Sequence, residues 1–458
     1  MKRIAKTIST LVLVIGLFAG VLLVQSVVSF RGKAAGQPAN LTVDVSKTYN
    51  DALNSWQFLS QGGEEKGNSL HAVVPFVQKL HPQYIRVDHV FDFFSVVSST
   101  NGENLTLNWT NLDAYLADIR AVGAKPFIAL SYTPHEFNQK DTDMPNPALW
   151  NKLVKATIEH ISGKNGLGIA DVYYEVWNEP DLFGAYKTYP PKDYRDLYVA
   201  TSNAALSATN VLPFKLGGPA TTSLYQNWFD ALVALQKDRS VKFDFFSWHE
   251  YGEDTGVLEQ NIAKTILWKA QSGLPNLELF VTENGIDAAN NPAYDDTLAA
   301  YHTLSSVARS ADKINGLMSF EIKDGPGPTQ KWGRWGLLTH EKFGVPLIKP
   351  RFSALEFLNQ MSSGARLAVS GGGTYVSAFA RQTNEVSRIM VVNYDPEAKH
   401  VEAVPMNFTG ISASKFLFVR QDFLGNSTKL LVVPTNGAWN TVQYFKANSA
   451  SIFEIIPQ

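Results

Sequence analysis

Eight short, almost unbroken apolar runs recur through about 300 residues of this chain: Gln57–Leu59, Tyr84–Val87, Pro126–Leu130, Val172–Trp177, Lys215–Gly218, Phe243–Trp248, Leu277–Thr282 and Gly316–Phe320. Runs that stay apolar at successive positions suit strands covered on both faces, since a half-exposed strand would alternate. The segments between them keep the 3.6-residue period of amphipathic helices. Leu112, Tyr115, Leu116 and Ile119 share one helical face that Gly123 closes, and Trp150, Leu153, Val154, Ile158 and Ile161 share another. Eight strand–helix units of this kind predict an α/β fold, a (β/α)8 TIM barrel, over residues 50–361. An open doubly wound sheet would want a Gly-rich phosphate loop after an early strand, and Gly62-Gly63 does not supply one.

Near Ser362–Gly373 the helical period disappears. Strand-like runs follow at Thr374–Ala380, Arg388–Tyr394, Val401–Asn407, Lys415–Val419 and Ser451–Ile456, with turns at Asn393-Tyr394-Asp395-Pro396 and Leu424-Gly425-Asn426. Residues 362–458 therefore read as a C-terminal β-sandwich. Leu41–Val45 alternates like a strand inside a linker at 36–49 and is placed to join that sandwich.

Lys2, Arg3 and Lys6 precede an apolar run, Leu11–Val24. This is the pattern of a secretory signal peptide, and Leu11–Phe30 is also about as long as the ~20 residues of a spanning helix, so residues 1–35 are expected to be either a cleaved signal or a membrane anchor. Both readings imply an exported body, extracellular or held to the outer face of the cell membrane. Residues 36–458 carry 35 basic and 42 acidic residues without a basic stripe, which excludes a nucleic-acid partner. The absence of cysteine excludes disulfides and thiolate metal sites. No His/Asp/Glu cluster has metal-ligand spacing, so neither a catalytic metal nor a cofactor is expected. Nothing in the sequence bears on oligomeric state.

In a parallel barrel the polar residues at the C-terminal ends of the strands converge on one face. Collected in order they are Arg86 and Asp88, Tyr132 and His135, Asn178 and Glu179, His249 and Tyr251, Glu283, and Glu321 and Asp324. Two of these, Glu179 in Tyr-Tyr-Glu-Val-Trp-Asn-Glu-Pro-Asp (173–181) and Glu283 in Leu-Phe-Val-Thr-Glu-Asn-Gly (279–285), follow apolar strands directly. Paired carboxylates at strand ends are the equipment of glycosidic-bond hydrolysis, one donating a proton and the other attacking. Glu179, beside Trp177 and Pro180, is expected to be the acid/base, kept partly protonated by apolar neighbours. Glu283 is expected to be the nucleophile, held ionised by Arg86 and by a hydrogen bond from Tyr251. Asn178, Arg86, His249, Tyr251, Asp88 and Trp177 are the candidate substrate-binding residues, and the partner they imply is a carbohydrate. Trp332 and Trp335, after the eighth strand, suit either a stacking platform or packing against the barrel. A barrel that binds sugar without cleaving it is the competing function.

Trp-Asn-Glu-Pro on the fourth strand with a Glu ending the seventh resembles the clan of retaining (β/α)8 glycoside hydrolases. Within it, four segments resemble glycoside hydrolase family 39, the β-xylosidase and α-L-iduronidase family: Tyr174–Leu182, Gly217-Gly218-Pro219-Ala220, Ser247-Trp248-His249-Glu250-Tyr251 and Lys349–Leu358. The resemblance covers roughly residues 50–458 and implies Glu179 as acid/base and Glu283 as nucleophile. Two positions depart from the xylosidase pattern. Asn284-Gly285 follows the nucleophile where that pattern has an aromatic and then Asn, and Val87-Asp88-His89 follows Arg86 where a His is expected at the second position. The second departure is similar to exopolysaccharide-degrading members of the family, which also carry an N-terminal membrane segment. Both departures fall where the sugar would sit, so the resemblance implies a β-linked poly- or oligosaccharide without naming the sugar.

Overall fold

A computed structural model describes residues 36–458. The expected signal or anchor, residues 1–35, lies outside the described residues. Among the described residues no helix is long and apolar enough to cross a membrane.

Numbered along the chain, strand β1 (Leu41–Tyr49) precedes β2 (Phe58–Gln61) and β3 (Tyr84–Val87). A hairpin of β4 (Val97–Asn101) and β5 (Asn104–Leu107) is inserted next, followed by β6 (Lys125–Leu130), β7 (Val172–Val176), β8 (Phe214–Thr221), β9 (Phe245–Tyr251), β10 (Glu278–Gly285) and β11 (Gly316–Phe320). Strands β2, β3 and β6–β11 close into a parallel eight-stranded barrel, as the apolar runs predict.

Two signals set helix ends locally. Asn146 caps Pro147–Ile161 by accepting from the amides of Ala148 and Leu149, with Pro147 at the first turn, an arrangement worth about 1 kcal/mol. Gly123, at φ 96°, ends Thr110–Val122 in the left-handed conformation that costs a Cβ-free residue least.

Aromatic rings fill the N-terminal half of the barrel. Phe58, Phe127, Tyr173, Phe245, Phe280 and Met318 form one buried layer, with Tyr173 stacked on Phe127 at 5.1 Å and edge-on to Phe280 at 5.1 Å. Each such ring pair contributes about 0.5–1.5 kcal/mol beyond its buried area. Because side chains alternate along a strand, the residues two positions on from Tyr84 and Tyr173 also point inward. They are Arg86 and Glu175, a buried ion pair seated on the aromatic floor.

The C-terminal region adds β12 (Ala365–Ser370), β13 (Val376–Thr383), β14 (Val386–Asn393), β15 (Glu402–Thr409), β16 (Phe416–Asp422), β17 (Ser427–Val432), β18 (Trp439–Phe445) and β19 (Ser449–Pro457). They form one nine-stranded sheet in the order β17-β16-β19-β14-β13-β12-β1-β15-β18. Strand β1 lies within it, antiparallel to β12 and parallel to β15. The sheet folds over on itself, so that Phe418 of β16 packs on Trp439 of β18 at 4.6 Å and on Phe408 of β15 at 6.1 Å. Strands β12, β17 and β18 are absent from the sequence expectation. Residues 427–431 of β17 are exposed and β18 alternates, so neither has the continuous apolar texture of its neighbours.

The sheet packs on the barrel helix Thr297–Ser310, in which every residue from Ala299 to Ser310 is buried. Tyr301 meets Phe423 edge-on at 5.5 Å, Arg309 donates to the Thr374 carbonyl at 2.7 Å, and Arg381 holds Asp312 through two bonds of 2.7 and 2.8 Å. A helix apolar or buried on all sides needs a second layer outside it, and the sandwich is that layer.

Candidate active site

Glu283 faces the barrel axis because β10 is irregular. Strict alternation from Phe280 would turn Thr282 and Asn284 inward and Glu283 outward. Pairing with β9 slips between Val281↔Trp248 and Glu283↔His249, which leaves Thr282 as an extra residue and re-aims Glu283 into the mouth. A second slip in β8, between Pro219 and Thr221, bulges Ala220 at φ 54°. The Ala220 carbonyl then accepts the amide of Glu179 at 2.9 Å. Trp177 and Glu179 themselves have φ of 75° and 43°. Such left-handed conformations cost about 1–3 kcal/mol each and persist only where surrounding contacts enforce them.

Arg86 sits at the centre of the site and is fully buried. It donates to Glu175 at 2.7 Å, to Glu283 Oε1 at 3.1 Å and to Asn178 Oδ1 at 2.6 Å. Asn178 in turn donates to the Tyr132 hydroxyl at 2.8 Å. The other oxygen of Glu283 accepts from the Tyr251 hydroxyl at 2.7 Å. His249 Nδ1 lies 2.8 Å from Glu179 Oε1 and 3.5 Å from Glu283 Oε2. Carboxylate oxygens of Glu179 and Glu283 come within 4.8 Å of one another.

Gly285 makes room for this arrangement. A Cβ there would meet the Tyr294 hydroxyl at 2.3 Å and the Tyr251 ring at 3.2 Å. The Gly285 departure noted in the sequence thus lets Tyr251 lie close against β10.

The electrostatics differ in one respect from the expectation. Burial pushes Glu283 up to about 7, and the Glu179 charge adds to the shift, while His249 and Arg86 pull the other way without cancelling it. For His249 burial disfavours the imidazolium, yet the charges of Glu283 and Glu179 outweigh it and raise its value. Arg86 stays charged, because Glu175 and Glu283 overcome its desolvation. Burial also raises Asp88, opposed by His89 and Arg86. The resting site thus carries a nucleophile candidate poised between its two protonation states.

A cavity of about 730 Å³ opens over these groups. Asp88, Asn178, Glu179, Tyr251 and Glu283 line it. Arg86, His249 and Trp177 are fully buried behind them. Trp177 packs edge-on against Tyr132 and Tyr186 and donates to the Phe183 carbonyl at 2.9 Å, so it shapes the loop that carries Glu179. Trp335 lines the cavity, with the Arg334 guanidinium 3.2 Å from its ring centre, whereas Trp332 does not. Glu321 and Asp324 are buried, the first accepting from Gln61 at 2.8 Å and the second paired with Lys349 at 2.8 Å. His135 is exposed.

Glu64, His89, Phe183, Glu250 and Arg334 also line the cavity and were not among the sequence candidates. Glu64 pairs with Arg334 across 270 residues, a relation that no local pattern carries. Among the described residues two side-chain groups gather enough donor atoms for a cation, Glu179–His249–Glu283 and Glu65–His340–Glu341. In the second, the Lys323 ammonium already contacts Glu65 at 2.6 Å and Glu341 at 2.7 Å.

The sequence profile of glycosyl hydrolases family 39 matches residues 64–389. Two curated relatives are a beta-xylosidase of Geobacillus stearothermophilus, 25% identical over 289 residues, and a beta-xylosidase of Caldicellulosiruptor saccharolyticus, 24% identical over 308 residues. The alignments cover 56% and 61% of this chain, and the chain spans only 56% and 61% of those relatives' own lengths. Among solved structures, a monomeric beta-xylosidase from Caulobacter crescentus CB15 superposes with a TM-score of 0.73 at 20% identity, covering 92% of this chain and 99% of that one. A GH39 enzyme from Xanthomonas axonopodis pv. citri gives 0.70 at 20% identity, covering 93% and 99%. At such identities the structural likeness speaks for the fold.

Proposed function

Since the chain belongs to glycosyl hydrolases family 39, we propose that it is a glycoside hydrolase that cleaves β-linked sugars in an oligo- or polysaccharide with retention of configuration. The observation that carries this reading is the pair of carboxylates, Glu179 and Glu283, whose oxygens approach within 4.8 Å at the base of one cavity. Double displacement uses carboxyl groups about 5–5.5 Å apart, whereas direct displacement by water needs about 6.5–9.5 Å to admit the water between them.

In the first step a Glu283 oxygen attacks the anomeric carbon while Glu179 gives its proton to the glycosidic oxygen, so the leaving sugar departs as an alcohol. Tyr251 and Arg86 each hold one oxygen of Glu283 and so fix the attacking geometry. His249 binds one oxygen of Glu179 and leaves the other to carry the proton. Forming the ester removes the charge of Glu283. Glu179, left as a carboxylate by the proton it has given up, then takes the proton from the water that attacks the anomeric carbon and releases Glu283. Asn178, fixed by Arg86 and Tyr132, lies within the cavity wall where it would bond the hydroxyl beside the reacting carbon.

The beta-xylosidases among the relatives make a β-xyloside the first substrate to try. Asp88 lines the cavity with Oδ1 unpartnered and is the residue we assign to reading the sugar hydroxyls. The N-terminal sequence supports export, with residues 1–35 as signal or anchor. The test is a panel of aryl β-glycosides and β-linked polysaccharides given to the protein and to its Glu179→Ala and Glu283→Ala variants. Turnover by the parent alone supports the assignment. Sugar binding without any product would identify a non-catalytic carbohydrate-binding protein instead.

A further inference from the structure

The nucleophile candidate is held by Tyr251, and Tyr251 is followed at once by a loop that leaves the barrel. Three contacts pin that loop. The Gly252 amide donates to the Gly285 carbonyl at 3.1 Å, His302 Nε2–H donates to the Gly252 carbonyl at 2.9 Å, and the Tyr394 hydroxyl donates to the Glu253 carbonyl at 2.9 Å. The first joins the loop to the strand that carries Glu283. The second comes from the barrel helix under the sandwich, and the third comes from the sandwich itself, just past the end of β14.

Tyr394 and His302 work as a unit. Their rings meet edge-on at 5.7 Å, and both side chains are buried. Burial lowers His302 to about 3, so it is neutral throughout the working range and its one N–H goes to Gly252. Gly252 itself has φ 153°, and nothing lies within 4 Å of where a Cβ would be. A glycine with open space around it has no packing of its own, so the position of this residue is set by the hydrogen bonds on either side. Removing one takes a protein donor from a loop carbonyl and loosens the backbone that follows Tyr251.

We propose that Tyr394 of the β-sandwich is a positioning residue for the active site: through the Glu253 carbonyl it fixes the loop that sets Tyr251 against Glu283. The sandwich on this account is part of the catalytic apparatus as well as a cover for the barrel helix. The inference rests on the assignment of Glu283 as the working carboxylate, and its test is chosen to stand apart from turnover.

The experiment compares the full protein with its Tyr394→Phe, Tyr251→Phe and doubly substituted variants. Phenylalanine keeps the ring against His302 and removes only the hydroxyl. The first readout is hydrogen–deuterium exchange. Tyr394→Phe should speed exchange of the Gly252 amide at least 10-fold, with the amides of β13 and β19 unchanged. The second is the carbon-13 titration of the Glu283 carboxyl, assigned by its loss in Glu283→Gln. Arg86, His249, Tyr251, Glu179 and Asp88 all face this carboxyl, and among them only Tyr251 is tied to Tyr394 through the loop. Both single variants should therefore move the Glu283 midpoint upward, since each weakens a donor to the charged form, and the double variant should move it no further than Tyr251→Phe alone. Unchanged exchange at Gly252 would overturn the proposal. So would faster exchange with an unmoved Glu283 titration, or a Tyr394→Phe effect that persists in full beside Tyr251→Phe. A protein that titrates as expected yet cleaves no glycoside would count against the hydrolase assignment and leave the positioning role standing.

Discussion

The Arg86 guanidinium bridges Glu175 and Glu283, donating to the first at 2.7 Å and to the second at 3.1 Å from a position with no exposed surface. One cation is thereby shared between a carboxylate locked inside the barrel and one that opens on the cavity. Glu175 has no access to solvent and is paired with Arg86, whereas Glu283 has the cavity beside it.

Replacing Arg86 by Met should therefore destabilise the protein by about 3–5 kcal/mol, because it strands Glu175 as an uncompensated buried charge. Adding Glu175→Gln should recover much of that stability without recovering activity, since Glu283 and Asn178 still lack their donor. Urea unfolding at neutral pH measures the first effect, and turnover measures the second.

Burial pushes Glu283 up to about 7 in the fold from an ordinary value of 4.5. A carboxyl raised in the folded state binds its proton more tightly there than in the unfolded chain, so its ionisation works against folding. The penalty is absent below about pH 4, grows through pH 7 and is constant above, reaching about 3 kcal/mol at 1.36 kcal/mol per unit. Glu283→Gln should accordingly be more stable than the parent at pH 8 and indistinguishable from it near pH 4. Thermal melts across that range decide it, and equal stability at pH 8 would contradict the raised value.

The same shift sets the acid side of the pH–rate profile. On the proposed assignment Glu283 attacks as the carboxylate, so kcat/KM should rise with pH through about 7. Tyr251→Phe removes the donor to Glu283 Oε2 and should shift this limb to higher pH while lowering the plateau. A limb unmoved by that substitution would mean that the hydroxyl does not hold the reactive oxygen.

Glu179→Ala should cost about 10²–10⁴-fold on glycosides whose leaving group is an ordinary alcohol. On dinitrophenyl glycosides, whose leaving phenolate needs no proton, the first step should be nearly normal and the second should become limiting. Added azide, which attacks without a general base, should then restore turnover to Glu179→Ala and not to Glu283→Ala. Equal losses on both classes of leaving group would remove Glu179 from the acid/base role.

The barrel was legible because each of its eight strands is buried on both faces, which leaves an apolar run in the sequence at every turn of the fold. Glu179 and Glu283 were legible as polar residues at the ends of such runs. The bulges at Thr282 and Ala220 that aim them were not, since a one-residue slip depends on pairing with a neighbouring strand and has no composition of its own. Glu175 was missed as a partner of Arg86 because it lies within the β7 run, where position alone says buried and says nothing of what it meets. Strands β17 and β18 were hidden by their exposure. The Tyr394–Glu253 contact joins residues 141 positions apart, and the Asn393-Tyr394-Asp395-Pro396 turn that carries it reads locally as a turn and no more.

The most direct test of the account follows the anomeric configuration of the product by proton NMR during the first minutes of hydrolysis, before mutarotation scrambles it. A β-glycoside releasing the β-anomer first is the predicted result, because attack by Glu283 and then by water inverts the anomeric carbon twice. First release of the α-anomer would contradict it, and would mean that Glu283 activates water in place of attacking the sugar.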